Sequence, residues 1–296
     1  MQAIVTGASG FVGRALCAAL PTGHHALSFG SADWERALRS APLAGATIFH
    51  LAARVHDPRD RDESAFERDN VVKARALAEE AARQRARRIV VLSTIKVNGE
   101  ETRERPFVPG DVPAPGDAYG RSKLGGERAV AEAGLAGGVE WVVVRSPLVL
   151  GPGAKANLAS LLRLADTPWP LPFAGIANRR SFVHVADLSR LLLACAAHAS
   201  APGNVFLAAH PAPFSTPAIV GALRRALGRP ERLYALPAAM LELAAAVAGQ
   251  GERMRRLTRS LEVDASAARE HLGWTATVGL EEAVAQMAQD WRSRKL

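Results

Sequence analysis

The sequence has few cysteines, few aromatic residues and no long apolar run, and each shortage argues against a class of protein. Its 296 residues include two cysteines and 5% aromatic residues. Cys17 and Cys195 lie in apolar, helix-like stretches, which is typical of reduced structural thiols in a cytoplasmic protein. The most apolar stretch, residues 236–249, is interrupted by Pro237 and Glu242 and is shorter than the roughly 20 residues of a bilayer-spanning helix. We expect a buried helix there and no membrane span.

The length is sufficient for one large core, or for a cofactor-binding domain with a smaller domain attached. The first predicted strand starts almost at Met1, and no signal peptide, internal repeat or low-complexity linker is recognisable. We therefore expect a cytoplasmic protein.

Positive charge is abundant, but its arrangement does not indicate nucleic-acid binding. The formal net charge is +8, with 32 arginines and 5 lysines. These residues are scattered, and the sequence has no basic helix, zinc-ligand spacing or interleaved aromatic platform. The one dense group, residues 83–88, ends a predicted helix, where cations suit the helix dipole. We expect neither a nucleic-acid partner nor a metal site, while the positive field favours an anionic substrate such as a sugar diphosphate.

A glycine-rich turn follows the first predicted strand. Residues 2–6 form the strand, the turn reads Gly7-Ala8-Ser9-Gly10-Phe11-Val12-Gly13, and a helix-like stretch covers residues 11–20. A strand, a glycine turn and a helix N-terminus together suit a dinucleotide pyrophosphate, because backbone N–H groups and the helix dipole face the anion. An ordinary glycine turn is the alternative, but the position directly behind a strand favours a cofactor site. We expect cofactor contacts from Gly7, Ser9, Gly10, Phe11, Val12, Gly13 and Arg14.

Tyr119 and Lys123 have the i, i+4 spacing that places two side chains on one face of a helix. A lysine ammonium beside a phenol favours the phenolate, so we expect Lys123 to lower the pKa of Tyr119 and to make the pair a general acid/base. The spacing alone occurs by chance in many proteins. Ser93 and Thr94 add to it, because they end the predicted strand 88–93, and the carboxyl ends of parallel strands open into the ligand crevice. Simple capping of the strand end would leave the same pattern.

The glycine turn, the strand-end hydroxyls and the Tyr/Lys pair occur in the order of an extended short-chain dehydrogenase/reductase. More narrowly, the chain resembles the nucleotide-sugar epimerase/dehydratase family. Further matches, each weak, follow the family order over nearly the whole chain. They are His50-Leu51-Ala52-Ala53, Asn70-Val71, residues 145–153, residues 180–188 and Leu272-Gly273-Trp274. The resemblance implies NAD or NADP as cofactor, a UDP- or dTDP-linked sugar as substrate, and a homodimer.

The resemblance also implies roles for the catalytic residues. Lys123 would bond the nicotinamide ribose and hold Tyr119 acidic. Thr94, assisted by Ser93, would orient the substrate oxygen. The further cofactor contacts that the resemblance implies are Leu51, Ala52, Ala53, Asn70, Lys123 and Pro147.

Five further residues are implied as substrate contacts. Arg180 would pair with the substrate diphosphate, and Arg259 is a second candidate for this contact. Asn157 and Phe173 would line the nucleotide pocket, although Phe173 is also typical of plain core. Lys96 would contact substrate or, equally, extend into solvent from its loop.

The chain departs from the family pattern on the adenosine side of the predicted cofactor site. One strand, near residues 25–29, is recognisable between the glycine turn and the next strand, where the full fold has two. It ends at Phe29-Gly30-Ser31 with Asp33 as the nearest acid, whereas an NAD site usually has an acid there for the ribose 2′-hydroxyl. Without this acid, no carboxylate at the end of the strand would repel a 2′-phosphate. Arg14 and Arg36 are the nearest candidate ligands for such a phosphate. The choice between NAD and NADP stays open.

A second departure concerns the reaction. The family's 4,6-dehydratases carry an Asp-Glu pair after the threonine, and here Ile95 and Lys96 occupy those places. Because isoleucine cannot transfer a proton, we exclude dehydration. Residues 95–100 resemble a branch that includes reductases of 4-keto-6-deoxy nucleotide sugars. We favour such a reductase, with a UDP-glucose or UDP-N-acetylglucosamine 4-epimerase as the alternative and a non-catalytic dinucleotide sensor as a weaker one.

Predicted strands and helices alternate along the first half of the chain, which indicates an α/β protein. The strands are predicted at residues 2–6, 25–29, 47–51, 88–93 and 140–145, and the helices at 11–20, 32–40, 64–84 and 117–134. This order predicts a Rossmann-type, doubly wound parallel sheet with a smaller C-terminal substrate-binding lobe. Asp117 is the predicted N-cap of the last helix, and Gly120, Gly125 and Gly126 inside it predict close packing on the cofactor or a neighbouring backbone.

Two regions are predicted from these elements. Residues 1–150 form a dinucleotide-binding domain, to which strands within residues 181–210 return, one near 181–185 and one at 204–208. Residues 151–180 and 211–296 form the substrate-binding lobe.

Overall fold

The computed structural model describes residues 1–21, 23–55, 62–153 and 157–294. Its strands are β1 Ala3–Thr6, β2 His24–Leu27, β3 Thr47–His50, β4 Arg88–Thr94, β5 Glu140–Ser146, β6 Leu148–Leu150, β7 Phe182–His184 and β8 Val205–Leu207. Its helices are α1 Phe11–Ala19, α2 Trp34–Ser40, α3 Glu63–Phe66, α4 Lys73–Arg83, α5 Ala118–Gly137, α6 Asn157–Ala165, α7 Val185–Ala197, α8 Thr216–Ala226, α9 Ala238–Val247, α10 Gly251–Thr258, α11 Ser266–Leu272 and α12 Leu280–Ser293. A π-helical turn covers Glu67–Val72, and a 3-10 turn covers Ile95–Val97.

The main sheet has parallel strands in the order β2-β1-β3-β4-β5-β8. The chain leaves β1 to β2 on one side and returns to β3 on the other, so the strand order reverses at β1. In open α/β sheets ligands bind at such a switch point, outside the carboxyl ends of the strands. The predicted Rossmann-type parallel fold is confirmed, and in the described part of the chain β2 is the one strand between the glycine turn and β3.

Helices cover both faces of this sheet, which is why its central strands are almost wholly apolar. On one face α1, α7 and α11 pack through Leu16, Leu191 and Leu272. On the other face α4 and α5 pack through Leu77 and Val130. The two layers hold the carboxyl ends of the strands in fixed positions, which is what a site built on those ends requires.

The strand predicted near residues 181–185 does not join the main sheet. It forms β7, which pairs in parallel with β6 in a separate two-stranded sheet, with Leu148 opposite Phe182. The other expected return strand, β8, does pair with β5, through Val143 and Val205. β8 occupies the edge of β5, so β7 pairs instead with β6, which continues from β5 after Pro147.

The region predicted as a lobe has its own apolar core. Residues from α6, α8 and α12 form it, including Leu162, Val220 and Met287. Residues 268–276 differ from the rest of this region, because they pack on the core of the cofactor domain. There the Trp274 indole N–H donates to the carbonyl oxygen of Asp187 at 3.1 Å.

The apolar stretch over residues 236–249 forms the helix α9, but the helix is not buried as predicted. Leu241 and Ala245 pack inward, whereas Leu243 is 69% exposed and Val247 86% exposed. A helix at the margin of the lobe buries one face only, however apolar its sequence is. Among the described residues, none of the helices combines the length and apolar character needed to cross a bilayer.

Candidate active site

The turn between β1 and α1 has the close backbone packing of a dinucleotide cradle. Gly7 has a φ of 71°, and a Cβ atom on it would lie 2.7 Å from the backbone nitrogen of Ala52. A Cβ atom on Gly13 would lie 2.1 Å from the carbonyl oxygen of Gly7. Larger residues therefore cannot take these positions, and α1 starts at Phe11 with its free N–H groups at the turn. The turn fits a pyrophosphate, as predicted.

A cavity of about 660 Å³ opens beside this turn. Its walls come from the carboxyl ends of β1, β2 and β3, and they include the predicted Gly7, Ser9, Gly10, Leu51, Ala52 and Ala53. The Thr6 hydroxyl accepts hydrogen bonds from the backbone N–H groups of Leu51 and Ala52, which fixes the β3 side of the cavity. Arg54, Asp69 and Lys73 also line it. These three residues were not predicted from the sequence, although the i, i+4 spacing of Asp69 and Lys73 on the predicted helix was a usable signal.

Several predicted cofactor residues lie outside the walls of this cavity. Phe11 packs on the core of the lobe, and Val12 packs on that of the main sheet. The Arg14 guanidinium donates to the carbonyl oxygen of Ser9 at 2.8 Å, on the pyrophosphate side rather than at the β2 end. The others that the structure does not place in these walls are Gly13, Asn70, Lys123 and Pro147.

Asn70 holds the cavity loop to the helix that carries the Tyr/Lys pair. Its side-chain oxygen accepts from the backbone N–H of Arg54 at 2.7 Å, and its NH₂ group donates to the Arg54 carbonyl oxygen and to the Ser122 hydroxyl. It stands in the π-helical turn that interrupts the predicted helix 64–84, and such turns are frequent at functional sites. The structure thus gives Asn70 a positioning role between two parts of the site.

The glycines of α5 allow close contact with this turn. A Cβ atom on Gly126 would lie 2.4 Å from the Asn70 carbonyl oxygen, and one on Gly125 would lie 2.8 Å from a methyl group of Val71. On the other side, a Cβ atom on Gly120 would lie 3.0 Å from the Lys96 carbonyl oxygen. The predicted close packing is confirmed, and its partners are neighbouring protein segments.

The first turn of α5 places the Tyr/Lys pair at the end of β4. Asp117 caps the helix as predicted, since its carboxylate accepts from the Gly120 backbone N–H at 2.7 Å. The Lys123 ammonium donates to the Leu92 carbonyl oxygen at 2.8 Å, one residue before Ser93. This bond holds Lys123, one helical turn after Tyr119, beside the end of β4 that carries the two hydroxyls.

The protonation of the pair differs from the prediction. Burial, together with the negative charge of Asp117, raises the pKa of Tyr119 to about 12. Burial lowers the pKa of Lys123 to about 8, against the opposing effect of Glu127. The expected lowering of the Tyr119 pKa is therefore wrong for the protein without ligand, because desolvation and the charge of Asp117 both favour the neutral phenol. At neutral pH the phenol carries its proton.

Ser93 and Thr94 end β4 with different surroundings. Within the described residues, the buried Ser93 hydroxyl has no hydrogen-bond partner. A buried polar group without a partner is costly, which is consistent with a ligand oxygen bonding there. The Thr94 hydroxyl accepts from the Lys96 backbone N–H at 3.4 Å, so part of its role is to cap the 3-10 turn.

Lys96 is a half-buried, ion-paired lysine, with 19% of its side chain exposed. Its ammonium is paired with Asp117 and, at 3.1 Å, with Glu100. The neighbouring Ile95 is buried, with 3% of its surface exposed. Lys96 therefore neutralises part of the charge of Asp117 beside Tyr119.

A second cavity, of about 260 Å³, lies between α6, α8 and α10. Its walls combine apolar side chains, Leu158 and Ile219 among them, with the arginines Arg180, Arg253 and Arg256. Burial and the charge of Arg256 lower the pKa of Arg180 to about 10. In the part of the chain that the structure describes, the buried Nε of Arg256 has no hydrogen-bond partner. Cations held together in this way favour an anion between them.

The other predicted substrate contacts are placed differently. The Arg259 guanidinium donates to both carboxylate oxygens of Glu242, at 2.8 and 3.1 Å, and it is not in the walls of this cavity. Phe173 is buried in the core of the lobe. Asn157 begins α6, but its side chain lies outside the described part of the structure. Arg253 and Arg256 were missed; their i, i+3 spacing becomes informative once α10 is known to be a helix.

Replacing Lys123 by methionine is expected to stabilise the protein without its cofactor. The pKa of Lys123 is about 8 in the folded protein and 10.5 in the unfolded chain. Below pH 8 the folded protein therefore carries the whole free-energy cost of burying the charged ammonium. This effect is relieved as the pH rises from 8 to 10.5. We expect Lys123→Met to raise the free energy of unfolding at pH 7 by about 1–3 kcal/mol, after subtraction of the lost hydrogen bond.

Denaturant unfolding at pH 7 and pH 10.5 tests this expectation. The stabilisation should shrink at the higher pH, while affinity for a nicotinamide dinucleotide falls at both. A variant that is less stable than the wild type at pH 7 would contradict it.

Comparisons with known proteins identify the family of the chain. The family model described as "NAD dependent epimerase/dehydratase family" matches residues 3–209. A UDP-glucose 4-epimerase from Vibrio cholerae is 35% identical over 264 residues, which cover 88% of this chain and 79% of the relative. A dTDP-4-dehydrorhamnose reductase from Mycobacterium tuberculosis is 31% identical over 219 residues, covering 70% of this chain and 69% of the relative.

Solved structures have the same fold over the whole chain. RMD from Pseudomonas aeruginosa, complexed with NADPH, has a TM-score of 0.80 at 21% identity and covers 99% of this chain and 100% of its own. MoeE5, in complex with UDP-glucose and NAD, has a TM-score of 0.77 at 25% identity and covers 100% of both chains. The predicted class of cofactor, NAD or NADP, is confirmed. The chain belongs to the NAD-dependent epimerase/dehydratase family.

Proposed function

We propose that this protein is an NAD(P)-dependent reductase that acts on carbon 4 of a UDP- or dTDP-linked 4-keto-6-deoxyhexose. The observation that carries the proposal is the position of Tyr119 and Lys123 at the end of β4. A reductase among the relatives, dTDP-4-dehydrorhamnose reductase, supports this reaction class.

The protonation of the site suits a reduction. A reduced nicotinamide supplies a hydride when it is bound. Reduction at carbon 4 would require a proton for the ketone oxygen, and the phenol of Tyr119 is protonated at neutral pH and able to donate it. Lys123 would hold the nicotinamide ribose, and the Ser93 hydroxyl, which has no partner among the described residues, would orient the ketone oxygen together with Thr94.

The arginine-lined cavity is the proposed nucleotide site. Its apolar walls suit a nucleobase, and the cations of Arg180 and Arg256 suit a diphosphate. Charge-assisted, often bidentate contacts between guanidinium groups and phosphate are strong and directional. In this proposal Arg256, with Arg253, takes the place that the sequence analysis assigned to Arg259.

The residues after Thr94 support the exclusion of 4,6-dehydration. Ile95 is buried in the 3-10 turn and has no transferable proton. Lys96, which follows it, is engaged by Asp117 and Glu100. Neither side chain is in a state to remove a proton from carbon 5 or to assist loss of the hydroxyl at carbon 6.

The alternative reaction is 4-epimerisation of UDP-glucose or UDP-N-acetylglucosamine, favoured by the 35% identity to the Vibrio cholerae UDP-glucose 4-epimerase. In that case Tyr119 would first accept a proton from the carbon 4 hydroxyl and then return it. A non-catalytic dinucleotide sensor is less consistent, because both Tyr119 and Lys123 are present. A homodimer and a cytoplasmic location remain predictions from the family resemblance and the sequence.

Cofactor exchange separates the two reactions. A reductase must release spent cofactor at each turnover. This chain has one strand between the glycine turn and β3, so the part of the site that would hold the adenosine is smaller than in the full fold, which suits release. We expect the purified protein to be mostly free of nicotinamide. It should oxidise added NADPH or NADH stoichiometrically with a UDP- or dTDP-4-keto-6-deoxy sugar, measured by absorbance and by analysis of the sugar product.

The opposite result is equally clear. Protein that retains bound NAD and interconverts UDP-glucose and UDP-galactose without added cofactor would establish the epimerase and refute the reductase.

A further inference from the structure

The adenosine end of the cofactor cavity contains an anchored lysine. The Lys73 ammonium donates to the Phe29 carbonyl oxygen at 3.0 Å and to a carboxylate oxygen of Asp69 at 2.6 Å. It also lies 5.7 Å from the centre of the Trp34 ring. The side chain is 13% exposed and lines the cavity. These contacts hold a cation next to the residues that directly follow β2.

The acid beside this lysine is already engaged on both oxygens. One oxygen of Asp69 accepts from Lys73, and the other accepts from the Arg54 Nε at 2.9 Å. Although burial alone would raise its pKa, these hydrogen bonds hold the pKa of Asp69 below its usual value. Arg68 lies 3.8 Å from the same carboxylate. Among the described residues, three cations therefore surround one anion, and the charge that these residues contribute is positive.

The position of this charge determines what it can bind. In Rossmann-type folds the end of the second strand lies beside the adenosine ribose, where NAD-binding proteins usually carry an acid for the 2′-hydroxyl. Here β2 is followed by Ser28-Phe29-Gly30. Asp33 is exposed, and among the described residues that line the cavity Asp69 is the one acid. The charge of this region is thus opposite to that of an NAD-selective site.

We propose that Lys73 and Arg54, with the Ser28 hydroxyl, form a subsite for a phosphomonoester on the 2′ position of the adenosine ribose, so that the protein selects NADP(H) over NAD(H). The carboxylate of Asp69 positions the two cations. The subsite depends on the dinucleotide cavity alone and is independent of whether the sugar reaction is reduction or epimerisation.

Calorimetric titration of the full-length protein with NADPH and with NADH tests the subsite without any sugar substrate. We expect NADPH to bind at least about 10-fold more tightly at low salt, and added salt to weaken NADPH more than NADH. Lys73→Met should lower NADPH affinity by roughly 10- to 100-fold, the effect of losing a charge-assisted contact. NADH affinity should change less than about threefold.

Two variants serve as controls. Lys73→Arg keeps the cation and should keep most of the NADPH preference. Arg75→Gln removes one positive charge from the same helix at an exposed position paired with Glu132, and it should leave both affinities unchanged. Thermal unfolding verifies that each variant is folded.

Three results would overturn the proposal. These are equal wild-type affinities for NADPH and NADH, an NADPH affinity that is unaffected in Lys73→Met, or a selective loss of NADH affinity in Asp69→Asn. The last would identify Asp69 as the acceptor for a ribose hydroxyl. If Lys73→Met does not fold, the wild-type affinity ratio, its salt dependence and Lys73→Arg decide the question. Because no sugar is used, failure of the sugar reductase assay would not affect the result.

Discussion

Replacing Tyr119 by phenylalanine is expected to lower kcat by roughly 10²–10⁴-fold, which is typical of a lost general acid. The change removes the proton that we propose is donated to the ketone oxygen and keeps the ring, which packs 6.3 Å from the ring of Phe66. In the described part of the structure no hydrogen bond to the Tyr119 hydroxyl is found, so its removal is not expected to leave a protein partner unsatisfied. Stability and cofactor affinity should change little.

Steady-state kinetics and cofactor titration of the same preparation test this expectation. The chain offers a matched control, because it has two tyrosines and the second, Tyr234, is 47% exposed in the lobe. Tyr234→Phe should retain wild-type kcat. Full activity of Tyr119→Phe would refute the proposed mechanism.

Replacing Arg180 by alanine is expected to raise the KM for the nucleotide sugar by roughly 10- to 100-fold, because a charge-assisted contact to the diphosphate is lost. Arg256→Gln should have a similar effect, since both side chains line the same cavity. Affinity for the nicotinamide cofactor should remain unchanged, because the two cavities have separate walls.

Arg259→Gln is the informative control for this series. Its guanidinium is bound by Glu242, so we expect less than about a threefold change in KM. A large rise in KM for the Arg259 variant with none for the Arg256 variant would show that Arg259, the residue predicted from the sequence, makes the second phosphate contact. Weaker cofactor binding with a normal KM in Arg180→Ala would show that the diphosphate has been placed in the wrong cavity.

Burial and tertiary neighbours account for the predictions that failed. The spacing of Tyr119 and Lys123 indicated one helix face, which is local geometry, but the Tyr119 pKa depends on desolvation and on Asp117. The apolar composition of α9 indicated a buried helix, yet composition does not show that the helix lies at the margin of the lobe. The Arg259 contact stays a prediction; the packing of α10 places Arg256 in the cavity wall and pairs Arg259 with Glu242, which sequence spacing does not show.

The sequence by itself determined the features that depend on neighbours in the chain. These are the alternation of strands and helices, the glycine turn behind β1, the Asp117 cap and the tight helix glycines, because hydrophobic period, capping and φ preferences act over a few residues. Only the tertiary structure decided which strand β7 pairs with, where Asn70 and the π-helical turn hold the site together, and which charges meet. Lys73 reaches Phe29 across 44 residues, and such contacts between distant segments are set by packing rather than by local sequence.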